Sequence, residues 1–144
     1  MARKDFTDKA GHIALYQDSI TATPSAPTAV DVSEGLMGGF LITGKAGITL
    51  DATNRIDFKA YKGTTAALAE AAGSPVVSAD IGGGAVITGG IIASAQLAAT
   101  LLAGYFIPYV GDPSYVTVIP NMEGTHGTAS DLNITYIVLD KENK

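Results

Sequence analysis

The chain has 144 residues, which is enough for one domain with a hydrophobic core of its own. It contains no cysteine, so disulfides, zinc–thiolate sites and thiol nucleophiles are excluded. The formal net charge of −5 argues against general nucleic-acid binding through phosphate neutralisation. Only 16% of the residues are charged. Such sparse charge indicates that other subunits cover part of the surface, in an oligomer or a larger assembly.

The first segment, residues 1–11, is polar and of mixed charge, with Phe6 as its large apolar residue. We interpret it as an N-terminal arm, either a frayed terminus or a segment that orders on a neighbouring subunit through Phe6. Arg3 and Lys4 are followed by acidic residues where a secretion signal would be apolar, so no secretion signal is expected. We expect residues 12–144 to form one domain.

Short segments typical of β-strands follow the arm. "HIALYQ" and "GGFLITGK" are short, apolar and rich in β-branched residues, and "ITATPSAPTAVDV" is similar but interrupted by prolines. The strongest pattern is "RIDFKAYK", which alternates with a period of two and therefore predicts a strand with one wet face. Its inward face would carry Ile56, Phe58 and Ala60, and its solvated face Arg55, Asp57 and Lys59.

The second half of the chain continues this pattern. "TTAALAEAAG" predicts a short helix or a long loop, and "PVVSADI" predicts a strand. "GYFIPYVG" and "SYVTVIP" are strands separated by a "GDP" turn, and Pro108 places the first of them at a sheet edge. In the last strand, "LNITYIVLD", one face is apolar: Leu132, Ile134, Tyr136 and Val138. The whole pattern predicts an all-β sandwich or barrel of about seven to eight strands, with at most one or two short helices.

An uncharged run, residues 85–110, is long enough to span a membrane. Its glycines, its proline and its acidic flanks argue against a span, which remains the less favoured alternative. We expect a Gly-rich loop, then a short buried helix or strand in "IIASAQLAATLL", then the strand "GYFIPYV". The loop half would contact a partner and the strand half would pack in the core.

Reactive chemistry is not evident in the sequence. The triplet "GGG" at 82–84 lacks the lysine and hydroxyl residue of a phosphate-binding loop. His12 and His126 have no carboxylate at metal-ligand spacing, and no nucleophile–base pattern can be argued from spacing. We therefore expect no enzyme activity, no metal and no cofactor.

Candidate contact residues come from the arm, the apolar loop and the tyrosines around the "GDP" turn. Tyrosine combines an apolar ring with a polar tip, which suits interfaces, although such rings also occur in cores. The predicted contacts to a capsid or to another subunit are Arg3, Lys4, Phe6, Ile87, Ile91, Ile92, Leu97, Tyr105, Tyr109 and Tyr115.

The C-terminal third, "AGYFIPYVGDPSYVTVIPNMEGTHGTASDLNITYIVLDK", resembles the closing strands of the small capsid cement, or decoration, proteins of tailed bacteriophages. In that family a "GYxxxYVG" strand turns into a "YVxV" strand, and a Gly/Thr-rich turn leads to a final apolar strand. The opening "ALYQDSITATPSAPTAVDV" and the middle "RIDFKAYKG" with its alanine-rich continuation are also similar to the family.

The resemblance implies a jelly-roll-like antiparallel β-sandwich that forms dimers or trimers on the outside of an icosahedral head. There it would bind the major capsid protein, stabilise the head, and carry no catalytic residues. Assembly would take place in the host cytoplasm, with no membrane or nucleic-acid partner. The alternatives are another phage head or tail structural protein, a carbohydrate-binding sandwich, or a small membrane protein spanning at 85–110.

Overall fold

The computed structural model describes residues 10–20, 22–24, 28–32, 37–46, 50–71, 74–82, 87–96, 98–111, 115–124 and 129–139. These residues form two antiparallel sheets. In spatial order, the four-stranded sheet consists of β1 (Ala10–Ile20), β9 (Ala129–Leu139), β3 (Met37–Ala46) and β7 (Tyr105–Tyr109). Ala10 pairs with Leu139, so the first and last described strands begin and end side by side.

The second sheet has five strand segments. They are β2 (Val30–Asp31), β8 (Tyr115–Glu123), β4 (Arg55–Gly63), β5 (Ser74–Pro75) and β6 (Ile91–Ala95). β4 pairs with β8 along its whole length, while β5 and β6 pair with different parts of β4. Because a strand has only two edges, β5 and β6 share the second edge of β4.

The strand order is that of a jelly roll. One sheet has the order β1-β9-β3-β7, and the other has the order β2-β8-β4 followed by β5 and β6 in one position. Every pair is antiparallel. Eight strand positions in two sheets with Greek-key connections define this fold. The predicted all-β jelly-roll-like sandwich is thus confirmed, and so is the edge position of the strand that contains Pro108.

The core lies between the sheets and follows the predicted alternation. Ile56, Phe58 and Ala60 of β4 are fully buried, as are Leu132 and Ile134 of β9. Apolar side chains on alternate positions of two facing sheets remove themselves from water together, and this burial is the main driving force for folding.

Three aromatic rings from neighbouring strands fill the centre of the four-stranded sheet's inner face. Phe40 lies edge-on to Tyr136 and Tyr109, with ring centroids 5.3 and 5.9 Å away. Such T-shaped geometry matches the positive ring edge to the negative ring face. Gly38 leaves room for this packing, because a Cβ there would lie 2.8 Å from the Tyr136 ring.

Two short helices join the strands. Helix α1 (Ala66–Glu70) begins at Thr65, whose hydroxyl accepts the Leu68 N–H at 3.2 Å, so the helix alternative for this segment is confirmed. Helix α2 (Ala98–Ala103) follows β6. The strand predicted for "PVVSADI" is wrong beyond Pro75. Asp80 accepts the Val77 N–H at 3.0 Å, and this local bond closes a 3₁₀ turn at Ser78–Asp80 instead.

The uncharged run divides into β6, α2 and β7, so "IIASAQLAATLL" supplies a strand and then a helix. Within the described ranges, no helix has the length and apolar character required to cross a bilayer.

Candidate interaction surfaces

The outward side of the four-stranded sheet carries an apolar patch, next to the polar residues Gln17, Thr43 and Asn133. Direct pairing places Leu41 beside both Phe106 and Thr135, and side chains of paired residues point to the same side of a sheet. Phe106 is 56% exposed and Leu41 is 37% exposed. We call this surface the apolar face, and its members are Ala14, Leu41, Phe106, Pro108, Thr135 and Ile137.

Gly39 shapes the apolar face at its centre. A Cβ at this position would lie 2.9 Å from the Phe106 ring and 2.6 Å from the Ile107 carbonyl oxygen. Because glycine leaves this space open, the Phe106 ring lies against the backbone of β3 beside Leu41. The result is an aromatic ring that lies low on the sheet beside Leu41 with more than half of its surface exposed.

The outward side of the five-stranded sheet is polar, and its central carboxylate is covered. Arg55 Nε donates to both Asp57 oxygens at 3.0 and 3.1 Å, and Ser94 Oγ donates to Asp57 Oδ1 at 2.6 Å. Asp57 is only 2% exposed, so the predicted solvated face is wrong at this residue. Arg55 donates from the same strand and Ser94 donates from the neighbouring strand β6, and sequence alternation alone does not reveal the pairing that brings Ser94 here.

The chain itself covers one end of that outward side. Thr117 is fully buried and its hydroxyl donates to the Thr28 carbonyl oxygen. The Ala29 N–H donates to the Glu70 carboxylate of α1 at 3.1 Å. Helix α1 also packs on β4, where Gly63 lies close to Ala69. Residues 28–29 and α1 therefore form a lid over one end of this sheet.

A second buried ion pair ties together elements at one end of the sandwich. Lys62 Nζ lies 2.9 Å from Asp80 Oδ2, and Asp80 is buried. The backbone carbonyl of Asp80 accepts the Val110 N–H at 2.7 Å, just after β7. Asp80 thus connects β4 with the residue that follows β7. These contacts hold the end of β7, the edge strand that carries Phe106, in place.

The predicted loop contacts lie mostly against the core. Ile87 and Ile92 are partly buried and pack on the core cluster, and Ile91 is half-buried in β6. Arg3, Lys4, Phe6 and Leu97 lie outside the described residues.

The predicted tyrosine contacts also divide. Tyr109 is buried in the core, and Tyr105 points inward, where its ring packs 6.3 Å from Phe58 and its hydroxyl donates to the Ser94 carbonyl oxygen at 3.1 Å. Both rings lie in the core and not at an exposed interface, because the odd-numbered positions of β7 face the opposite sheet. Tyr115 is half-buried at the start of β8.

The sequence interpretation missed Phe106. Packing was expected throughout 105–110, yet Phe106 and Val110 are exposed. The signal was available in the strand period, since Tyr105, Ile107 and Tyr109 share one face and Phe106 must occupy the other. An edge strand that is apolar on both faces in a two-layer sandwich has one apolar face directed outward.

Burial perturbs the tyrosines of the core. Burial, with a smaller contribution from neighbouring Tyr109, raises the pKa of Tyr136 to about 12. Its hydroxyl has no hydrogen-bond partner among the described residues. Burial also raises the pKa of Tyr105. These rings remain neutral at physiological pH and serve packing.

The described residues offer little for reaction chemistry. Among them, no group of three or more His, Asp or Glu side chains is placed to hold a metal ion. The Ser94 hydroxyl donates to Asp57, and the Asp57 carboxylate also accepts from Arg55 and is almost fully buried. His126, Gly83 and Gly84 lie outside the described residues, as does the side chain of His12.

Comparison of the chain with protein-family models, curated proteins and solved structures gives no match. Functional inference therefore depends on the strand order and on the surfaces of this molecule.

Proposed function

We propose that the chain is a structural protein of a phage head, a cement protein that binds the outside of the major capsid lattice. The observation that carries the proposal is the jelly-roll strand order β1-β9-β3-β7 over β2-β8-β4. This architecture is common in viral capsid domains, although it also occurs in lectins and cupins. Since a fold hosts many functions, the surfaces must discriminate among them.

The surfaces favour assembly over catalysis. Phe106 and Leu41 are exposed on the apolar face, whereas the polar groups at the centre of the other sheet's outward side are hydrogen-bonded to one another. Exposed apolar surface with few charges is typical of a protein that works in contact with other subunits. The sequence resemblance to cement proteins points in the same direction.

Cementing would work through multivalency. A capsid presents many identical sites, so a dimer or trimer that holds one site has a high effective concentration at the next. Each contact can then be modest, and the head still gains stability because all the contacts must break together.

The test uses heads that lack this chain. Purified protein is added to such heads, and bound copies are counted after sedimentation. We expect saturation at a fixed ratio to the capsid subunits and a higher temperature of DNA release. Tails from the same phage and immobilised glycans serve as controls. Binding to tails or glycans but not to heads would contradict the proposal and favour the tail or carbohydrate alternative.

A further inference from the structure

The two outward sides of the sandwich differ in what covers them. Helix α1 and residues 28–29 lie on the five-stranded sheet, whereas Phe106 and Leu41 on the other sheet remain exposed in the described chain. An exposed aromatic ring beside an exposed leucine gains free energy when another apolar group covers both.

The longest stretch outside the described residues is residues 1–9, directly before β1. Every other such stretch has five residues or fewer, and the C-terminal one, "DKENK", has no apolar residue. Residues 1–9 contain Phe6, an aromatic side chain that matches the chemistry of the apolar face. This segment is therefore the part of the chain best suited to cover it.

We propose that the N-terminal arm of one copy docks on the apolar face of a second copy, with Phe6 packed on Phe106 and Leu41. The arm enters β1 at Ala10, which aligns through Leu139 with Met37 at the start of β3. This position fixes how far the arm can reach on its own sheet.

The direction of the chain argues against docking of Phe6 on its own sheet. Leu41 lies two strands across and four residues along from Ala10, in the direction in which β1 runs, at a Cα separation of about 16 Å. The arm precedes Ala10, so an arm that continues the line of β1 extends away from the Leu41 of its own copy. It would have to reverse direction to dock there, whereas docking on a neighbouring copy needs no reversal.

The docking site suits an aromatic side chain. Gly39 keeps the Phe106 ring low on the sheet, and the ring is 56% exposed, so a second aromatic ring can pack edge-on against it. This arrangement would repeat the edge-on packing of Phe40 and Tyr136 on the inner side of the same sheet. The inference concerns contacts between copies, and it holds or fails independently of capsid binding.

Disulfide trapping between two singly substituted copies tests the proposal, because the natural chain has no cysteine. Mass-tagged Thr7→Cys protein is mixed with Thr43→Cys protein and oxidised mildly, so that Phe6, Phe106 and Leu41 all stay in place. Thr43 is two residues from Leu41 on the same side of β3. We expect a crosslinked pair of one tagged and one untagged copy. Thr64→Cys is the matched control, because Thr64 is an exposed threonine that lies beside α1. Equal crosslinking to both positions, or no crosslinking to position 43, would overturn the proposal.

The double variant Thr7→Cys/Thr43→Cys separates docking within one chain from docking between copies. A crosslink within one chain, without crosslinked pairs, would also refute docking between copies. In sedimentation equilibrium without capsids, Phe6→Ser and Phe106→Ser should each weaken self-association roughly 10- to 100-fold, as expected for the loss of a buried phenylalanine. Leu68→Ser should leave it unchanged. Self-association equal to the natural chain in both phenylalanine variants would count against the proposal.

Discussion

The outward sides of the two sheets occupy equivalent places in the sandwich but have opposite properties. On the five-stranded sheet, Asp57 lies at the centre of a hydrogen-bonded network and is almost inaccessible to water. On the four-stranded sheet, Phe106 also faces outward, but more than half of its surface is exposed to solvent.

This difference shows that residue polarity alone does not reveal a residue's role. A charged side chain that faces outward, such as Asp57, can be part of the folded unit when its own strand and a neighbouring strand supply its donors. An aromatic side chain can contribute little to folding when nothing of its own chain covers it. We therefore expect substitutions on the polar side to affect stability and substitutions on the apolar side to affect association.

The largest effect is expected for Asp57→Ala. Removal of the carboxylate leaves the Arg55 Nε–H and the Ser94 hydroxyl, both half-buried, without this acceptor. The free energy of unfolding in urea should fall by about 2 kcal/mol. Asp18→Ala, at an exposed position on β1, is the control and should change it by less than about 0.5 kcal/mol. A loss no larger than that of the control would show that the network is not needed for folding.

A smaller effect is expected for Thr65→Ala at the start of the covering helix. The substitution removes the hydroxyl that accepts the Leu68 N–H, and loss of such a cap costs about 1 kcal/mol. Chemical denaturation measures the loss, and Thr64→Ala, one residue earlier and exposed, is the matched control. Equal urea midpoints for both variants would show that the Thr65 hydroxyl does not stabilise helix α1 on the sheet.

Tyr136→Phe tests the core between the two sheets, where Tyr136 is buried. The buried hydroxyl has no partner among the described residues, so its removal should leave the free energy of unfolding unchanged or raise it by less than about 1 kcal/mol. Because the folded pKa of Tyr136 is raised from 10.0 to about 12, the natural chain should lose stability as pH rises through this range.

The variant should lose less stability across the same pH range, because it lacks a group that ionises more easily in the unfolded chain. Unfolding free energies measured at several pH values between 9 and 12 give the comparison. Parallel curves for both proteins would contradict the assignment to Tyr136.

The smallest effect on folding is expected for Phe106→Ser. Its side chain is exposed in the folded chain, so the unfolding free energy should change by no more than about 0.5 kcal/mol at concentrations where the chain is monomeric. A loss comparable to that of Asp57→Ala would mean that the two sides do not differ as described.

The strands and the core were largely predictable because alternation is a local property. Period-two patterns identified β4 and β9, and Pro108 marked an edge strand before any pairing was known. The covering of Asp57 was not predictable, since Ser94 comes from a strand 37 residues away and its pairing is a tertiary property. The segment after Pro75 also escaped prediction, because local hydrogen bonds hold it as a turn, including the one that the Asp80 side chain accepts from the Val77 N–H.

The pairing of Ala10 with Leu139 has a consequence for chain connectivity. The two ends of the folded unit lie side by side, so a short linker could join them while every strand pairing is kept. In such a circular permutant, with new ends in a surface loop, the segment before β1 would be anchored at both ends. The permutant should therefore fold as the natural chain does, but its copies could not exchange that segment. The change in connectivity would thus affect association between copies and leave folding intact.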